Sequence, residues 1–547
     1  MNFEVYDEDG LGRIGKVSVN NKEIITPNLF PVVHPFVNNI SMDELKTLGA
    51  NAIFTNSYII FQNLDKRQII LNRGLHRFLG YDGIIATDSG AFQQYMYNSD
   101  DVEINPKVIE EFQENIGADF SVILDVPVQI EDDYNKAKKK VIETVKRAQD
   151  NVKRRKNLKC HWYGPIHGGR YTDLIEYSCK EINKLDFPIL ALGGLVKSFL
   201  EYRFDSVIKM LLTVKQYSNP SRPLHLFGLG LPQFFSLAVL CGCDLMDSAA
   251  YILFAKEGRY FTLSTGTERI TDLKEFPCHC PVCVKYTPKE IATFEEQKRT
   301  ELLAKHNLYI SFSELRTIRQ AIKEGNLWEL MEQRIHNHPS LSNAVTIIKD
   351  YQDLFEIYEK TYKNRGSLFT SAASLNRPLL YRYKKKMLED YRVPNAAKYL
   401  FILPELDVKG KNSPMIQQWL DDLEKKFPDK RESFHVVFTS EFFGVIPLEL
   451  AETFPMGQNE SVHLYLKSEC KNSSFLEKAK QFILKYSTFY NKIIFLIPKR
   501  YLNQYKEKLP FPISHPIHEL ARVIKSQLPD KFHLVYALSG LEKHLQS

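Results

Sequence analysis

Between Lys22 and Thr265 the chain alternates short, unbroken apolar runs with amphipathic segments, and this pattern restricts the fold more than any other feature. The runs are Ala52-Ile53-Phe54-Thr55, Gly83-Ile84-Ile85-Ala86-Thr87, Phe120-Ser121-Val122-Ile123-Leu124, Lys159-Cys160-His161-Trp162-Tyr163, Pro188-Ile189-Leu190-Ala191-Leu192, Pro223-Leu224-His225-Leu226-Phe227 and Asp244-Leu245-Met246. Mostly continuous apolar strands of this length are those of a parallel sheet covered on both faces. The intervening segments carry helix signals. Asn105 followed by Pro106 is an N-cap with proline at the first helical position, opening a helix over Lys107 to Ile116 that Gly117 ends. Ala137, Val141, Val145, Ala148 and Val152 recur at helical spacing in the next segment. Seven or eight strand–helix units in this span favour a (β/α)8 barrel over an open doubly wound sheet.

The whole chain, 547 residues long, exceeds what one compact core accommodates. The reading divides it into a barrel with an appended zinc-binding subdomain over 1–310, a helical linker region over 311–394, and a smaller α/β accessory domain over 395–547. The last division falls at Arg392-Val393-Pro394-Asn395, where the helical pattern breaks. Beyond it, strands are expected at Tyr399–Leu403, Phe434–Phe438, Val462–Leu466 and Ile493–Ile497.

The string Cys278-His279-Cys280-Pro281-Val282-Cys283, with His306 downstream, supplies three thiolates and one imidazole. That set fills the tetrahedral preference of Zn2+ with no open position, so one structural ion per chain is expected. The plain alternative is three unrelated thiols in a reduced interior. His279 is expected to be an exposed bystander. The other cysteines, Cys160, Cys179, Cys241, Cys243 and Cys470, read as small buried hydrophobes. Eight cysteines with this distribution point to a reducing cytoplasm. No apolar stretch reaches membrane-spanning length, and the start Met1-Asn2-Phe3-Glu4 has no secretory pattern, so no membrane partner is expected.

A net charge of +6 permits a polyanionic partner without demanding one. The basic run from Lys136 to Lys159 reads either as a solvated helix face or as a phosphate-contacting stripe.

In a barrel of this class reactive groups sit at the strand ends. Those ends carry Asp88, Asp125, His167, the pair Gly193-Gly194, Gly228, Gly230 and Asp247. Three carboxylates facing one cleft repel each other and are hard to explain by stability alone. Two carboxylates across a sugar carbon suit a retaining double displacement, one attacking the anomeric carbon and the other handling the proton of the departing group. A third is acceptor-only and could read a donor-rich base edge. The glycines allow backbone groups to approach a flat ligand.

Together, Asp88-Ser89-Gly90-Ala91-Phe92-Gln93, the two glycine pairs Gly168-Gly169 and Gly193-Gly194, Asp247 and the cysteine–histidine set resemble the tRNA-guanine transglycosylases. The form around Asp247, Asp244-Leu245-Met246-Asp247-Ser248-Ala249-Ala250-Tyr251, is similar to the archaeal branch, and the resemblance covers about residues 1–310. It implies exchange of guanine, at position 15 in the dihydrouridine arm of tRNA, for 7-cyano-7-deazaguanine in the archaeosine pathway. It further implies Asp247 as nucleophile forming a covalent RNA intermediate and Asp88 as general acid and base. By the same resemblance Asp125 accepts hydrogen bonds from the base, Phe92 and Phe227 sandwich it, and Gly193-Gly194-Leu195-Val196 contact it through the backbone. His167 stands where the family usually has glutamine, which leaves the mode of base recognition open. His167, Leu195 and Val196 are expected to be too large and apolar to admit queuine. Family members are typically homodimers. The C-terminal stretch does not resemble the PUA module common in archaeal members, so that module is expected to be missing or to reside on another chain. Two other readings are a non-catalytic tRNA-binding paralogue and an archaeosine synthase-like enzyme.

Overall fold

The structure is a computed structural model that describes residues 1–37, 39–91, 105–264, 266–404, 414–462, 474–497 and 516–545. The chain forms two compact units, 1–358 and 359–547.

Eight parallel strands form the centre of the first unit: β4 (Asn28–Pro31), β5 (Ala52–Asn56), β6 (Ile84–Asp88), β7 (Phe120–Val122), β8 (His161–Ile166), β9 (Ile189–Leu192), β10 (Leu224–Leu226) and β11 (Leu245–Ser248). Their order is β4-β11-β10-β9-β8-β7-β6-β5. The ring closes between β4 and β5 through the parallel bridge Val32–Phe54, with the Val33 amide donating to the Phe54 carbonyl at 2.8 Å. The expected barrel is therefore present. Its first strand, β4, escapes the apolar pattern because it is four residues long and bracketed by Pro27 and Pro31, residues that argue against a central strand.

The helix over Pro106–Ile116 begins as its sequence dictates. The Asn105 side chain accepts from the Lys107 amide at 2.9 Å, and Gly117 ends it at φ +77°. The helix Tyr134–Arg154 buries Ala137, Val141, Val145 and Ala148 against the barrel.

An antiparallel sheet of β1 (Asn2–Asp9), β2 (Gly12–Val19) and β3 (Lys22–Ile25) was not anticipated. Its Val17, Val19 and Ile24 pack on the inward residues Phe30, Phe54, Ile84, Phe120 and Ile189. It is fastened to residues that precede the barrel strands. Asn20 donates to Asp119 and to the Lys159 carbonyl, and Lys22 pairs with Asp119 at 2.7 Å. Arg13 grips Asp244, just ahead of β11, with Nε at 3.0 Å and Nη2 at 2.5 Å. The N-terminal mouth of the barrel is thus sealed, and the open end is the one where strands finish.

β12 (Arg259–Thr262) and β13 (Gly266–Arg269) form a hairpin, and a helix of 29 residues spans Glu296–Glu324. This helix runs unbroken through residue 310, so the expected division there falls inside it, and residues 311–394 are shared between the two units. Glu314 is fully buried and held by Arg334 at 2.8 and 3.0 Å.

The second unit contains a short pair, β14 (Ser367–Phe369) with β18 (Asn459–Ser461). Its main sheet comprises β15 (Tyr399–Leu403), β16 (Phe434–Ser440), β17 (Gly444–Pro447), β19 (Lys492–Leu496) and β20 (Phe532–Val535), ordered β17-β16-β15-β19-β20. Among the described residues only the β16–β17 pair of this sheet is antiparallel. The strand expected at Val462–Leu466 lies, apart from Val462, outside the described residues. Among the described residues no helix is long and apolar enough to cross a membrane.

Removing Arg13 would strand Asp244 as a buried, unpaired charge. Arg13→Ala is expected to destabilise the first unit by roughly 3–5 kcal/mol in urea unfolding, and a loss below about 1 kcal/mol, the worth of an exposed pair, would contradict a structural role for this pair.

Candidate active site and metal centre

A cavity of about 990 Å3 opens at the strand ends and is walled by Asp88, Asp125, His167, Gly193, Gly194, Val196, Phe227 and Asp247, among others. Leu195 is fully buried and is not a wall of it. Phe92 lies outside the described residues.

Asp88 ends β6. Its Oδ2 accepts from Asn56 Nδ2 at 3.0 Å and its Oδ1 from the Gly90 amide at 3.1 Å. Gly90 sits at φ +90°, and a Cβ there would meet the Tyr58 Cβ at 2.4 Å, so only glycine brings that amide to the carboxylate. Burial, reinforced by the charges of Asp125 and Asp247, pushes Asp88 up to about 7.

Asp125 follows β7 and His167 follows β8. His167 Nε2 lies 2.6 Å from Asp125 Oδ2, with His167 only 1% exposed. An ionised carboxylate only accepts, so Nε2 carries the hydrogen, and among the described residues Nδ1 is buried without a partner. The glycine pair makes room for this ring. A Cβ on Gly193 would lie 2.5 Å from His167 Cε1, and one on Gly194 would lie 2.2 Å from the Val128 carbonyl oxygen.

Asp247 lies on β11. Its Oδ1 accepts from His225 Nε2 at 3.1 Å and from the Gly228 amide at 3.3 Å. His225 is fully buried among Phe30, Phe54, Tyr163 and Phe227, with ring centroids 5.1–5.9 Å away. The phenol of Tyr163 beneath the site is raised well above its ordinary value by burial and by Asp247. His225 and Asn56 are site residues that sequence reasoning missed. The available signal was parity: His225 is two residues before Phe227, so both point to the same side of the chain. Asp244, a sequence neighbour of Asp247, is instead locked to Arg13 and to the Leu224 amide at the sealed end.

Six of the eleven basic residues between Lys136 and Lys159 form ion pairs. Lys136 and Lys140 pair with Asp132, Arg147 with Glu143, Lys153 with Asp150, Arg154 with Glu110 and Arg155 with Asp186.

Cys278, Cys280, Cys283 and His306 bring their ligand atoms within 4.8 Å of one another. His306 comes from the long helix and is fully buried. Its Nε2 donates to the Phe261 carbonyl at 3.0 Å, which leaves Nδ1 facing the sulfurs of Cys280 and Cys283 at 3.5 and 3.4 Å. Tyr260 stacks on the imidazole at 3.6 Å. Three soft sulfur donors and an oriented nitrogen this close fit a tetrahedral ion and leave no position for substrate. His279 is exposed. Cys160, Cys179, Cys241 and Cys243 are buried free thiols, whose ionisation burial pushes up, and Cys470 lies outside the described residues.

A parallel barrel with three carboxyls at its strand ends, beside a cysteine–histidine set able to hold a metal, suits an enzyme acting on a glycosidic bond. The family profile described as Queuine tRNA-ribosyltransferase matches residues 7–340, and the chain belongs to that family. A protein of Methanococcus maripaludis named tRNA-guanine(15) transglycosylase is 38% identical over 498 residues, 89% of this chain and 74% of the relative. Its namesake in Methanocaldococcus jannaschii is 38% identical over 485 residues, 87% of this chain and 71% of that protein. One from Pyrococcus abyssi is 40% identical over 386 residues, 71% and 65% respectively.

The position of Asp88 has a measurable consequence. Its carboxyl ionises near 3.8 when solvated and near 7 in the fold, so the folded chain holds the extra proton between these values. Raising the pH from about 4 to about 7 should therefore weaken wild type relative to Asp88→Asn, by up to about 4 kcal/mol at roughly 1.4 kcal/mol per unit. Parallel urea curves for the two proteins at the two ends of that window check this, and identical pH slopes would contradict it.

For the metal centre, elemental analysis of fresh protein is expected to find one transition-metal ion per chain, lost together with cooperative unfolding in His306→Ala. Metal-free protein that resists chelators would contradict the assignment.

Proposed function

We propose that this chain exchanges guanine in tRNA for 7-cyano-7-deazaguanine without cutting the RNA backbone, at guanine 15 as the names of its relatives indicate. The observation that carries the reading is the contrast between two carboxyls of one cavity. Asp88 is pushed towards holding a proton at neutral pH, whereas Asp247 is an acceptor for an amide and an imidazole. Such a pair separates the roles of acid and nucleophile.

In this mechanism the Asp247 carboxylate attacks the anomeric carbon and forms an ester-like bond to ribose as the bond to guanine breaks. Asp88 gives its proton to the departing base. The incoming base then yields a proton to Asp88 and displaces Asp247 from the same carbon, so configuration is retained overall. The Gly228 amide and His225 aim the Asp247 oxygen. Asp125, held by His167, accepts hydrogen bonds from the base edge, and His167 Nδ1 supplies a further buried acceptor. Phe227, with Phe92, stacks on the ring, and the backbone of Gly193-Gly194-Leu195-Val196 lies alongside. Leu195 is not among the residues lining the cavity, so discrimination against queuine rests on His167 and Val196.

The metal is assigned as zinc on its donor set, with a structural role. A homodimer in the cytoplasm is the working assembly. The intact acid–nucleophile pair speaks against a purely tRNA-holding paralogue.

The test is mass spectrometry of nuclease-digested tRNA after incubation with each base. Incorporation of 7-cyano-7-deazaguanine in the dihydrouridine arm, little queuine, and no incorporation by Asp247→Asn despite near-normal tRNA binding are expected. Queuine in the anticodon, or full activity of Asp247→Asn, would overturn the assignment.

A further inference from the structure

The cavity is at the upper end of the roughly 300–1,000 Å3 range that serves drug-sized ligands, and a purine fills only part of it. Exposed apolar side chains stand at its rim: Val37, Leu200, Tyr202 and Leu253 all line it and are 45–67% exposed, alongside the exposed Lys256 and Glu257. Tyr202 is unusual among them. The helix Val196–Leu200 ends in a Schellman arrangement, with the Tyr202 amide donating to the Phe199 carbonyl at 3.2 Å and the Arg203 amide to the Ser198 carbonyl at 2.9 Å. The left-handed position of that motif ordinarily belongs to glycine, yet here it is Tyr202, at φ +55°. The ring is stacked on His338, with centroids 4.7 Å apart and planes 16° apart, and both rings meet Phe204 edge-on. A bulky residue is thus held in a backbone conformation that disfavours it, and its aromatic ring is presented at the mouth of the cavity that holds Asp88 and Asp247.

We infer that Tyr202, backed by His338, is a stacking platform for the nucleobase adjacent to the guanosine drawn into the cavity. The inference rests on the base-exchange reading above. Drawing one nucleotide out of an RNA stack deprives its neighbour of a stacking partner, and an aromatic ring at the rim replaces that partner whatever the base identity. Lys256 also lines the cavity, but the cations that flank Tyr202 in the chain are already engaged, which favours a base over a phosphate at this ring. Lys197 is engaged by Glu131 and Glu201, and Arg203 by Glu201.

The experiment compares wild type, Tyr202→Gly and Tyr202→Phe for binding and guanine exchange on an unmodified tRNA transcript. The same transcript with an abasic nucleotide on either side of the target guanosine is run in parallel. Tyr202→Gly restores the residue the backbone prefers, so its melting midpoint should equal or exceed wild type, while its tRNA affinity falls about tenfold. Tyr202→Phe should stay within about twofold because it keeps the π-face. One of the two abasic transcripts should lose about tenfold with wild type and nothing further with Tyr202→Gly, since the platform has then already gone. Should Tyr202→Gly fold poorly, the abasic series on wild type and Tyr202→Phe decides alone, and equal affinity for all three transcripts overturns the platform. Wild-type affinity in Tyr202→Gly, or an abasic penalty that persists in it, overturns the platform while leaving base exchange standing. A wild type that exchanges no guanine overturns both.

Discussion

Three carboxyl groups share one cavity at the open end of this barrel, and the rest of the site is arranged around their mutual repulsion. Each is accommodated differently. Asp88 is driven towards its protonated form by burial and by the other two. Asp125 is tied to His167 at 2.6 Å. Asp247 is met by the Gly228 amide and by His225, whose ring is packed among aromatic side chains. The glycines of the site follow from the same constraint. Gly90 delivers an amide to Asp88, Gly228 delivers one to Asp247 at φ +83°, and Gly193 leaves space for the imidazole that holds Asp125. Such an arrangement is poor for stability and suited to separating an acid from a nucleophile.

The remaining architecture keeps those groups in place. At the sealed end the β1–β3 sheet plugs the barrel, and Arg13 fixes Asp244 three residues before Asp247. The cysteine–histidine set reaches back to the helix that follows β11. Asn307, next to His306, accepts from the Phe261 amide at 2.8 Å and donates to the Tyr251 carbonyl at 3.0 Å. Tyr251 in turn donates to the Val32 carbonyl at the end of β4. The cysteine–histidine set therefore braces the segment that follows Asp247, although it has no position open for substrate.

Much of this was legible before any coordinates. Unbroken apolar runs located seven of the eight barrel strands, and their ends located Asp88, Asp125, His167 and Asp247, because a barrel places reactive groups there. What was missed had a different physical origin. β4 is short and flanked by prolines, and the β1–β3 sheet carries polar faces where it meets solvent, so neither gives a continuous apolar signal. Long-range pairing hid the rest. Nothing local distinguishes Arg13 as the partner of Asp244, Glu314 as that of Arg334, or Asn56 as a donor to Asp88. His225 read as one residue of a core strand because its partner is in the next strand. The Lys136–Lys159 run, which on sequence reads either as a solvated helix face or as a phosphate-contacting stripe, is engaged in part, with Lys136, Lys140, Arg147 and Arg154 paired to nearby acids.

The central claim is the division of roles between Asp247 and Asp88, and peptide mapping of the trapped enzyme–RNA species tests it most directly. Wild-type protein incubated with tRNA, denatured, treated with nuclease and digested with protease should carry a ribose-linked mass on the peptide containing Asp247 and none on the peptide containing Asp88. A ribose adduct on Asp88, or on Asp125, would contradict the account.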